Sequence, residues 1–161
     1  TCESSVPGVY AVGDVNGGPQ FTYISLDDFR IVFGTLTGNG QYTLKDRKNI
    51  PYTTFLTPPL ARVGLTEEDA INKGYTVKTK EMLVATMPRA HVNDNLKGAF
   101  KIVVNAENDL ILGATLYSQG AEELINLFKM AMDNNIPYTY FKNQIFTHPT
   151  MAENLNDLCN F

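Results

Sequence analysis

Apolar residues alternate with other residues in two neighbouring segments of the chain, and this alternation is the strongest constraint on its fold. The first segment places Phe100, Ile102 and Val104 two residues apart, and the second repeats the spacing across residues 110–116. Strands have a side-chain period of two, and the polar residues 107–109 between the segments are typical of a turn. The sequence therefore predicts an antiparallel hairpin across residues 100–116.

Helical and further strand signals surround this hairpin. Residues 121–134 carry an apolar stripe that predicts a helix, although Leu127 and Met130 fall outside the stripe. A helix that is apolar on more than one side has a second surface to cover, against a partner subunit or against a third layer of the same domain. Thr66 and the acids after it are typical of a short helix, and residues 77–86 predict a strand. From about residue 49 onward we expect an α+β domain, an antiparallel sheet with helices packed on it.

The first part of the chain has a different character. Residues 9–12 form a short apolar run that predicts a buried, parallel strand, and residues 22–36 are compatible with a helix that ends at Gly38. A parallel strand needs neighbours and a long crossover connection, which nothing earlier in the chain supplies. We therefore expect this part to belong to a larger domain, with the polar residues 41–49 as a linker.

Composition and charge narrow the function classes. The chain has 161 residues with 43% apolar and 19% charged side chains, as in globular proteins, and a net charge of −4. The absence of a basic run argues against nucleic acid as a partner. No apolar run is long enough for a membrane span. Because the N-terminus lacks the order of residues found in a signal peptide, we expect a cytoplasmic location.

The two cysteines lie at opposite ends of the sequence. Cys2 and Cys159 form no Cys-x-x-Cys pair, so we expect two free thiols in a reducing compartment rather than a structural disulfide. Only His91 and His148 could join them as metal ligands, and their spacing matches no known pattern. We therefore expect no metal site. His91 itself is expected in a solvated loop.

Three blocks of residues, in order along the chain, resemble the class I pyridine nucleotide-disulfide oxidoreductases, such as glutathione reductase and dihydrolipoyl dehydrogenase. Residues 5–14 (SVPGVYAVGD) are similar to the family's second FAD motif, and residues 57–67 (TPPLARVGLTE) to the start of its dimerisation domain. Residues 148–153 (HPTMAE) are similar to its catalytic His-Pro-Thr-x-x-Glu. Segments 17–28, 87–90 and 144–149 bring the chain nearest to the bacterial reactive-chlorine-resistance flavoproteins, which reduce hypothiocyanous acid.

This resemblance implies a division of the chain and a function for the intact enzyme. Residues 1–48 would be the C-terminal piece of an FAD-binding α/β domain with its linker, and residues 49–161 an FAD/NAD-linked reductase dimerisation domain. The enzyme would use FAD, NAD(P)H and a redox-active cysteine pair, as a homodimer in which each subunit supplies a catalytic His to its partner. The chain has neither Gly-x-Gly-x-x-Gly nor Cys-x4-Cys. Alone, it is expected to bind no cofactor and to catalyse nothing.

Five residues are candidates for flavin binding by this resemblance. Gly13 and Asp14 follow the predicted strand, where the carboxylate would accept a hydrogen bond from a ribityl hydroxyl; the alternative is an Asp that only shapes a turn. Phe21, Thr22 and Tyr23 begin the next helix, whose N-terminus offers backbone N–H groups and a positive dipole end to the flavin's pyrimidine edge. Thr22 could equally be a simple helix cap, and both roles can hold together.

Two residues are candidates for acid–base catalysis. An imidazole titrates in the range that thiol–disulfide chemistry needs, and the resemblance makes His148 the catalytic base. Glu153 would orient the imidazole and stabilise its protonated form, or would instead close a capping box with Thr150. We expect the His148–Pro149 bond to be cis, so that the imidazole points outward. Cys159 could be a third redox thiol, but no neighbour in the sequence favours its thiolate.

Three functions remain open from the sequence. The first is a flavin-dependent reductase of hypothiocyanous acid or another reactive oxidant. The second is a disulfide reductase or dihydrolipoyl dehydrogenase with the same machinery. The third, for the chain by itself, is an inactive assembly module. An unrelated α+β ligand-binding domain would leave the three ordered blocks unexplained.

Overall fold

The computed structural model describes residues 1–161, which divide into two compact units, Thr1–Lys48 and Asn49–Phe161. In the first unit, a short 3-10 helix at Gly13–Asn16 precedes helix α1 at Thr22–Thr37. Helix α1 ends at Gly38, whose left-handed φ of 76° is a conformation that glycine adopts without steric cost. The predicted helix and its glycine stop are confirmed.

The buried strand predicted at residues 9–12 is wrong. The only strand-like pairing here is one isolated antiparallel bridge between Glu3 and Tyr10, and Val9 and Val12 are exposed. A strand is stable when neighbouring strands satisfy its backbone hydrogen bonds, and residues 1–48 contain no strand that could do so. The apolar run alone therefore does not produce a strand in this unit.

Five strands form the sheet of the second unit. Every neighbouring pair is antiparallel, in the order β1-β2-β5-β4-β3. The strands are β1 (Tyr52–Thr54), β2 (Leu60–Gly64), β3 (Val77–Leu83), β4 (Ala99–Asn105) and β5 (Ile111–Tyr117). The predicted α+β class with an antiparallel sheet is confirmed.

The predicted hairpin lies at the centre of this sheet. Strands β4 and β5 pair with Phe100 opposite Leu116 and Ile102 opposite Ala114, and all four side chains are buried. The turn between the strands places Asp109 at a φ of 61°, which Asp tolerates better than most residues. The period-two alternation therefore identified both strands and the buried face at Ala114 and Leu116. At the start of β5 it is wrong, because a shift in register beside Val104 places Ile111 in the core instead of Leu110 and Leu112.

Helices surround the sheet, and most of them contribute side chains to the core on its buried face. They are α2 (Glu67–Asn72), α3 (Pro88–Val92), α4 (Ala121–Asp133), α5 (Tyr138–Asn143) and α6 (Leu155–Leu158), with short 3-10 helices at Val84–Thr86 and Ala152–Asn154. The Thr66 side chain caps α2 by accepting a hydrogen bond from the Asp69 N–H, and the Asp69 carboxylate accepts from the Thr66 N–H in return.

Helix α4 supplies the largest share of the core that lies on β2 and β5. Its predicted apolar stripe is buried at Ala121, Leu124, Ile125, Phe128 and Ala131. Of the two residues outside the stripe, Leu127 packs at the edge of the core, and Met130 is 62% exposed. The chain therefore has no third layer over Met130, and a partner subunit there stays a prediction.

Two local predictions need correction. The strand predicted at residues 77–86 ends at Leu83, because residues 84–86 turn into a 3-10 helix that buries Val84. His91 is exposed, as expected, but it lies in α3 rather than in a loop, and its Nε2 is 2.8 Å from the Ala85 carbonyl oxygen. None of the helices has the length and apolar character that crossing a membrane requires.

Candidate active site

His148 lies on the segment that connects α5 to the C-terminal helical turns. The His148–Pro149 peptide bond is cis, which confirms that prediction, and the His148 side chain is 72% exposed. The ring Nδ1 lies 2.7 Å from the Glu153 Oε2. The structure therefore brings the two candidate catalytic residues together at the surface of the second unit.

The two oxygens of the Glu153 carboxylate have different partners. Oε2 meets the imidazole, while Oε1 accepts a hydrogen bond from the Thr150 N–H at 3.1 Å. The Glu153 N–H in turn donates to the Thr150 hydroxyl oxygen at 3.2 Å. The two alternatives for Glu153, capping box and imidazole partner, are thus satisfied at once, because each uses one oxygen.

The charge on Glu153 determines which ring nitrogen of His148 carries the hydrogen. The hydrogen bond with His148 lowers the pKa of the Glu153 carboxyl below its ordinary value, so this group is ionised at neutral pH and can only accept. The His148 Nδ1 must then carry the hydrogen of the 2.7 Å contact. In a neutral ring, the lone pair that can take up a proton is consequently on Nε2. Nε2 makes no hydrogen bond within the chain, so it is available to a reacting group.

Two asparagines that the sequence analysis did not single out hold the backbone around this pair. Asn154 is buried and donates to the carbonyl oxygens of Thr150 and Met151. Asn156 donates to three carbonyl oxygens before His148. The spacing of the two asparagines directly after the HPTMAE block was the one available signal, since Asn side chains commonly bond to nearby backbone.

Gly13 and Asp14 lie in the 3-10 helix of the first unit. Gly13 has a φ of 72°, a left-handed conformation that strains residues with a side chain, so the backbone here favours glycine. The Asp14 side chain is exposed. The Gly-Asp turn is therefore fixed in its backbone and presents its carboxylate to solvent.

The backbone of this turn is held by a carboxylate that the sequence analysis missed. Asp28, on α1, is fully buried and accepts hydrogen bonds from the Gly13 N–H at 2.8 Å and the Asn16 amide at 2.7 Å. It also forms an ion pair with Arg47. Burial acts to raise the pKa of Asp28, but the hydrogen bonds from Arg47, Gly13 and Asn16 outweigh it and lower the pKa. An Asp-Asp pair between the apolar residues Leu26 and Phe29 of the helix was the signal for this role.

Phe21, Thr22 and Tyr23 lie at the N-terminus of α1, as predicted, but the cap differs. Phe21 occupies the N-cap position and Thr22 is the first helical residue, so Thr22 is not the cap. No side chain caps this end of the helix. A helix of 16 residues with an uncapped N-terminus offers N–H groups and a positive dipole end to an acceptor.

The two cysteines are free, as expected, and the structure shows that both are buried. Burial raises the pKa of the Cys159 thiol to about 12, because an apolar surrounding disfavours the thiolate. A thiol of this pKa is a poor nucleophile at neutral pH. The geometry therefore gives no support to Cys159 as a third redox group.

Similarity to known proteins decides the family. The sequence profile of the pyridine nucleotide-disulphide oxidoreductase dimerisation domain matches residues 50–159. The chain belongs to the pyridine nucleotide-disulfide oxidoreductase family. It therefore contains the dimerisation domain of a flavoprotein oxidoreductase, as the resemblance of its three sequence blocks predicted.

Individual relatives agree with this assignment. The chain is 48% identical over 155 residues to the probable pyridine nucleotide-disulfide oxidoreductase RclA of Escherichia coli K12, covering 96% of the chain and 35% of RclA. It is 36% identical to a mercuric reductase of Staphylococcus aureus, covering 91% of the chain and 27% of that protein. It is 31% identical to a dihydrolipoyl dehydrogenase of Chlorobaculum tepidum, covering 97% of the chain and 33% of that protein. The chain thus spans about a third of these relatives.

A solved structure extends the comparison to the fold. The HOCl-induced flavoprotein disulfide reductase RclA from Escherichia coli superposes with a TM-score of 0.95 at 47% identity, over 98% of this chain and 36% of that chain. The chain therefore shares the fold of the corresponding part of that protein.

Proposed function

We propose that this chain is the C-terminal part of an FAD-dependent NAD(P)H oxidoreductase that works through a redox-active cysteine pair. In the proposed enzyme, residues 1–48 complete the FAD-binding domain, and residues 49–161 form the dimerisation domain, which supplies His148 and Glu153 to the partner subunit. The observation that carries the proposal is the His148–Glu153 pair, in which Nδ1 is fixed at 2.7 Å and Nε2 faces solvent.

The chemistry of this pair is acid–base transfer at sulfur. His148 Nε2 takes the proton of a cysteine thiol, and the thiolate so formed attacks an oxidised acceptor. The imidazolium then returns the proton to the group that leaves. Glu153 keeps the ring in one orientation and balances its charge while it holds the extra proton.

The residues of the first unit fit a flavin. Asp14 presents an exposed carboxylate that can accept from a ribityl hydroxyl, and Gly13 allows the backbone to turn beside it. Next to Phe21, the uncapped start of α1 at Thr22 and Tyr23 can donate N–H groups to the pyrimidine edge of the ring. When bound, FAD passes electrons from NAD(P)H to the cysteine pair.

The proposed assembly is a homodimer. The family domain at residues 50–159 is a dimerisation domain, and Met130 on α4 is apolar and 62% exposed. A stable dimer would bury well above about 1,000 Å². Sedimentation of the purified chain measures this directly, and a monomer at micromolar concentration would contradict the proposal for these residues. A cytoplasmic location stays a prediction, as does the lack of nucleic-acid partners.

The proposed acceptor is a reactive oxidant of the hypothiocyanous acid type. The support is the similarity to RclA, whose solved structure is described as an HOCl-induced disulfide reductase. The second candidate is a disulfide or dihydrolipoamide substrate, supported by the dihydrolipoyl dehydrogenase relatives. Turnover of the full-length enzyme with hypothiocyanous acid, glutathione disulfide, dihydrolipoamide and mercuric ion separates these possibilities.

The acid–base role is tested with His148→Ala in the full-length enzyme. We expect the thiol half-reaction to slow by about 10²–10⁴-fold, the usual effect of removing a positioned acid–base group. Flavin reduction by NAD(P)H should be nearly unchanged, because that step needs no proton transfer at His148. Stopped-flow absorbance of the flavin separates the two half-reactions.

The matched control is His91→Ala, because His91 is the other histidine of the chain and is also exposed. It should change neither half-reaction. If His148→Ala abolishes flavin reduction but leaves thiol turnover normal, the proposed role is wrong.

A further inference from the structure

We propose that Asn156 is a positioning residue that holds His148 against Glu153. The proposal rests on the acid–base function inferred for His148, and it assigns Asn156 no contact with substrate or flavin. Its basis is a set of hydrogen bonds that join the segment leading into His148 to the helical turns that follow Glu153.

The Asn156 amide contacts three backbone carbonyls on the other side of His148. Its Nδ2 lies 2.7 Å from the Phe141 oxygen, 3.0 Å from the Gln144 oxygen and 3.2 Å from the Lys142 oxygen. An amide has two hydrogens, so three acceptors share them. Asn156 therefore ties the end of α5 and the start of the next segment to its own backbone.

These carbonyls need an outside donor. The last carbonyls of a helix have no partner within the helix. The C-cap residue of α5, Gln144, is in an extended conformation, whereas many helices end at a left-handed glycine. Asn156 supplies the missing donor from α6. The Asn156 amide thus satisfies the last carbonyls of α5, as a C-cap residue does in other helices. It also fixes the direction in which the chain leaves the helix.

The segment between α5 and His148 has no backbone hydrogen bonds of its own. No backbone–backbone hydrogen bond involves residues 144–149, and Ile145 is 94% exposed. Its side-chain anchors are Asn156 at Gln144, the partly buried Phe146 ring against the core, and the Thr150 hydroxyl, which donates to the Thr147 carbonyl at 2.8 Å. Removing the Asn156 bonds leaves the segment without its hydrogen bonds to the end of α5, held only by Phe146 and Thr150.

The element that carries Asn156 is itself rigidly placed. Leu155 and Leu158 of α6 are fully buried in the core, and the Lys80 ammonium donates to the carbonyl oxygens of Asp157 and Asn160 at the end of this helix. Glu153 directly precedes α6 in the chain. Asn156 therefore connects the segment before His148 to the same rigid part of the domain that holds Glu153.

The test uses Asn156→Ala in the full-length enzyme. We expect the thiol half-reaction to slow by about 10- to 100-fold, because a displacement of about 1 Å in a reacting group can cost 10²-fold. Flavin reduction should be unchanged. Asn156→Asp keeps the size of the side chain but removes its donors, so it should resemble Asn156→Ala and serves if the alanine variant folds poorly. Asn134→Ala removes a similar bond, from an exposed asparagine to the Met130 carbonyl, and should have no effect.

The double variant H148A/N156A distinguishes positioning from a general structural role. If Asn156 acts through His148, the second substitution should slow the thiol half-reaction by less than about twofold in the H148A background. An equal slowing in both backgrounds would overturn the proposal, as would an Asn156→Ala enzyme with the wild-type rate.

Nuclear magnetic resonance of the ¹⁵N-histidine-labelled enzyme separates this proposal from the function on which it rests. The ring ¹⁵N chemical shifts of His148, which report the Nδ1 contact, should move in Asn156→Ala toward those of Glu153→Gln, because both variants weaken the same contact. The ring shifts of His91 should not move. If His148→Ala turns over thiols normally, the acid–base function fails while this change in chemical shift still reports positioning. Unchanged His148 ring shifts in Asn156→Ala overturn the positioning role whatever the kinetics show.

Discussion

The first unit, residues 1–48, and the second unit, residues 49–161, use their apolar side chains in different ways. The second unit buries one continuous cluster between its sheet and its helices, centred on Phe100, Phe128 and Leu116. The buried apolar side chains of the first unit are Cys2, Ile24 and Ile31. Both faces of α1 carry apolar residues, but one face is left open to solvent.

The first unit is instead organised around a charge. Asp28 is fully buried and bonds to the 3-10 helix through Gly13 and Asn16, and to Arg47 through an ion pair. A buried ion pair is specific in geometry but contributes little net stability, because desolvation offsets the attraction. The comparison teaches that the second unit is stabilised by closing its core, whereas the first is shaped by polar contacts and gains less from burial.

The largest expected effect is the loss of a core side chain from the second unit. Phe128 is fully buried, and its ring lies 5.4 Å from the Phe141 ring. Phe128→Ala removes this contact and leaves a cavity, so the free energy of unfolding should fall by about 3–5 kcal/mol. Urea unfolding followed by far-ultraviolet circular dichroism measures the change, since the chain has no tryptophan for fluorescence.

The matched control lies in the same unit. Phe55 is 79% exposed, so Phe55→Ala should change the free energy of unfolding by less than about 0.5 kcal/mol. A loss below about 1 kcal/mol for Phe128→Ala would mean that the second unit is not closed in solution, and the contrast between the units would disappear.

This contrast also explains which features the sequence could predict. The alternation around Phe100 and the stripe through Phe128 are periodic over many residues, so they identify strands and helices that bury one face. The run at residues 9–12 is too short to show a period, and its structure depends on strands that residues 1–48 do not contain. The local sequence pattern therefore predicted strands and helices correctly where the elements that pack against them lie in the same unit.

The candidate sites divide in a similar way. The motif around His148 predicted the contact with Glu153, because the two residues are close in sequence and one turn joins them. The roles of Asp28 and Asn156 depend on contacts 12 to 19 residues away along the chain. The sequence signals that these side chains make polar contacts, but no period or local motif identifies their partners, which only the folded structure shows.

An intermediate effect is expected from acid, and it should affect the first unit. Asp28 has a lowered pKa, so its ionised form is favoured by folding. Its contribution is complete above its unfolded pKa of about 3.9 and is lost as the pH falls from there through the folded pKa. Protection of the Gly13 amide, which donates to Asp28, should disappear over that range while amides of β4 stay protected. Hydrogen exchange followed by nuclear magnetic resonance measures both.

Arg47→Met sharpens this prediction. Without the guanidinium, Asp28 loses a hydrogen bond and a positive charge that lower its pKa, so the pKa should rise and the loss of Gly13 protection should move to higher pH. Asp46→Asn is the control, because Asp46 bonds to Thr43 and not to the 3-10 helix. If Gly13 loses its protection at the same pH in Arg47→Met as in the unchanged chain, Asp28 does not organise this unit.

The smallest expected effect comes from the open face of α1. Phe33 is 56% exposed, and its only ring neighbour is Phe29 at 5.7 Å. Phe33→Ala loses about 0.5 kcal/mol of ring contact but gains a similar amount of helix propensity, so the free energy of unfolding should change by less than about 0.5 kcal/mol. Ile31→Ala, two residues away at 1% exposure, should cost about 2 kcal/mol or more because it empties a packed site. If Phe33→Ala costs as much as Ile31→Ala, then the face that carries Phe33 is covered in solution and the first unit closes its apolar surface as the second does.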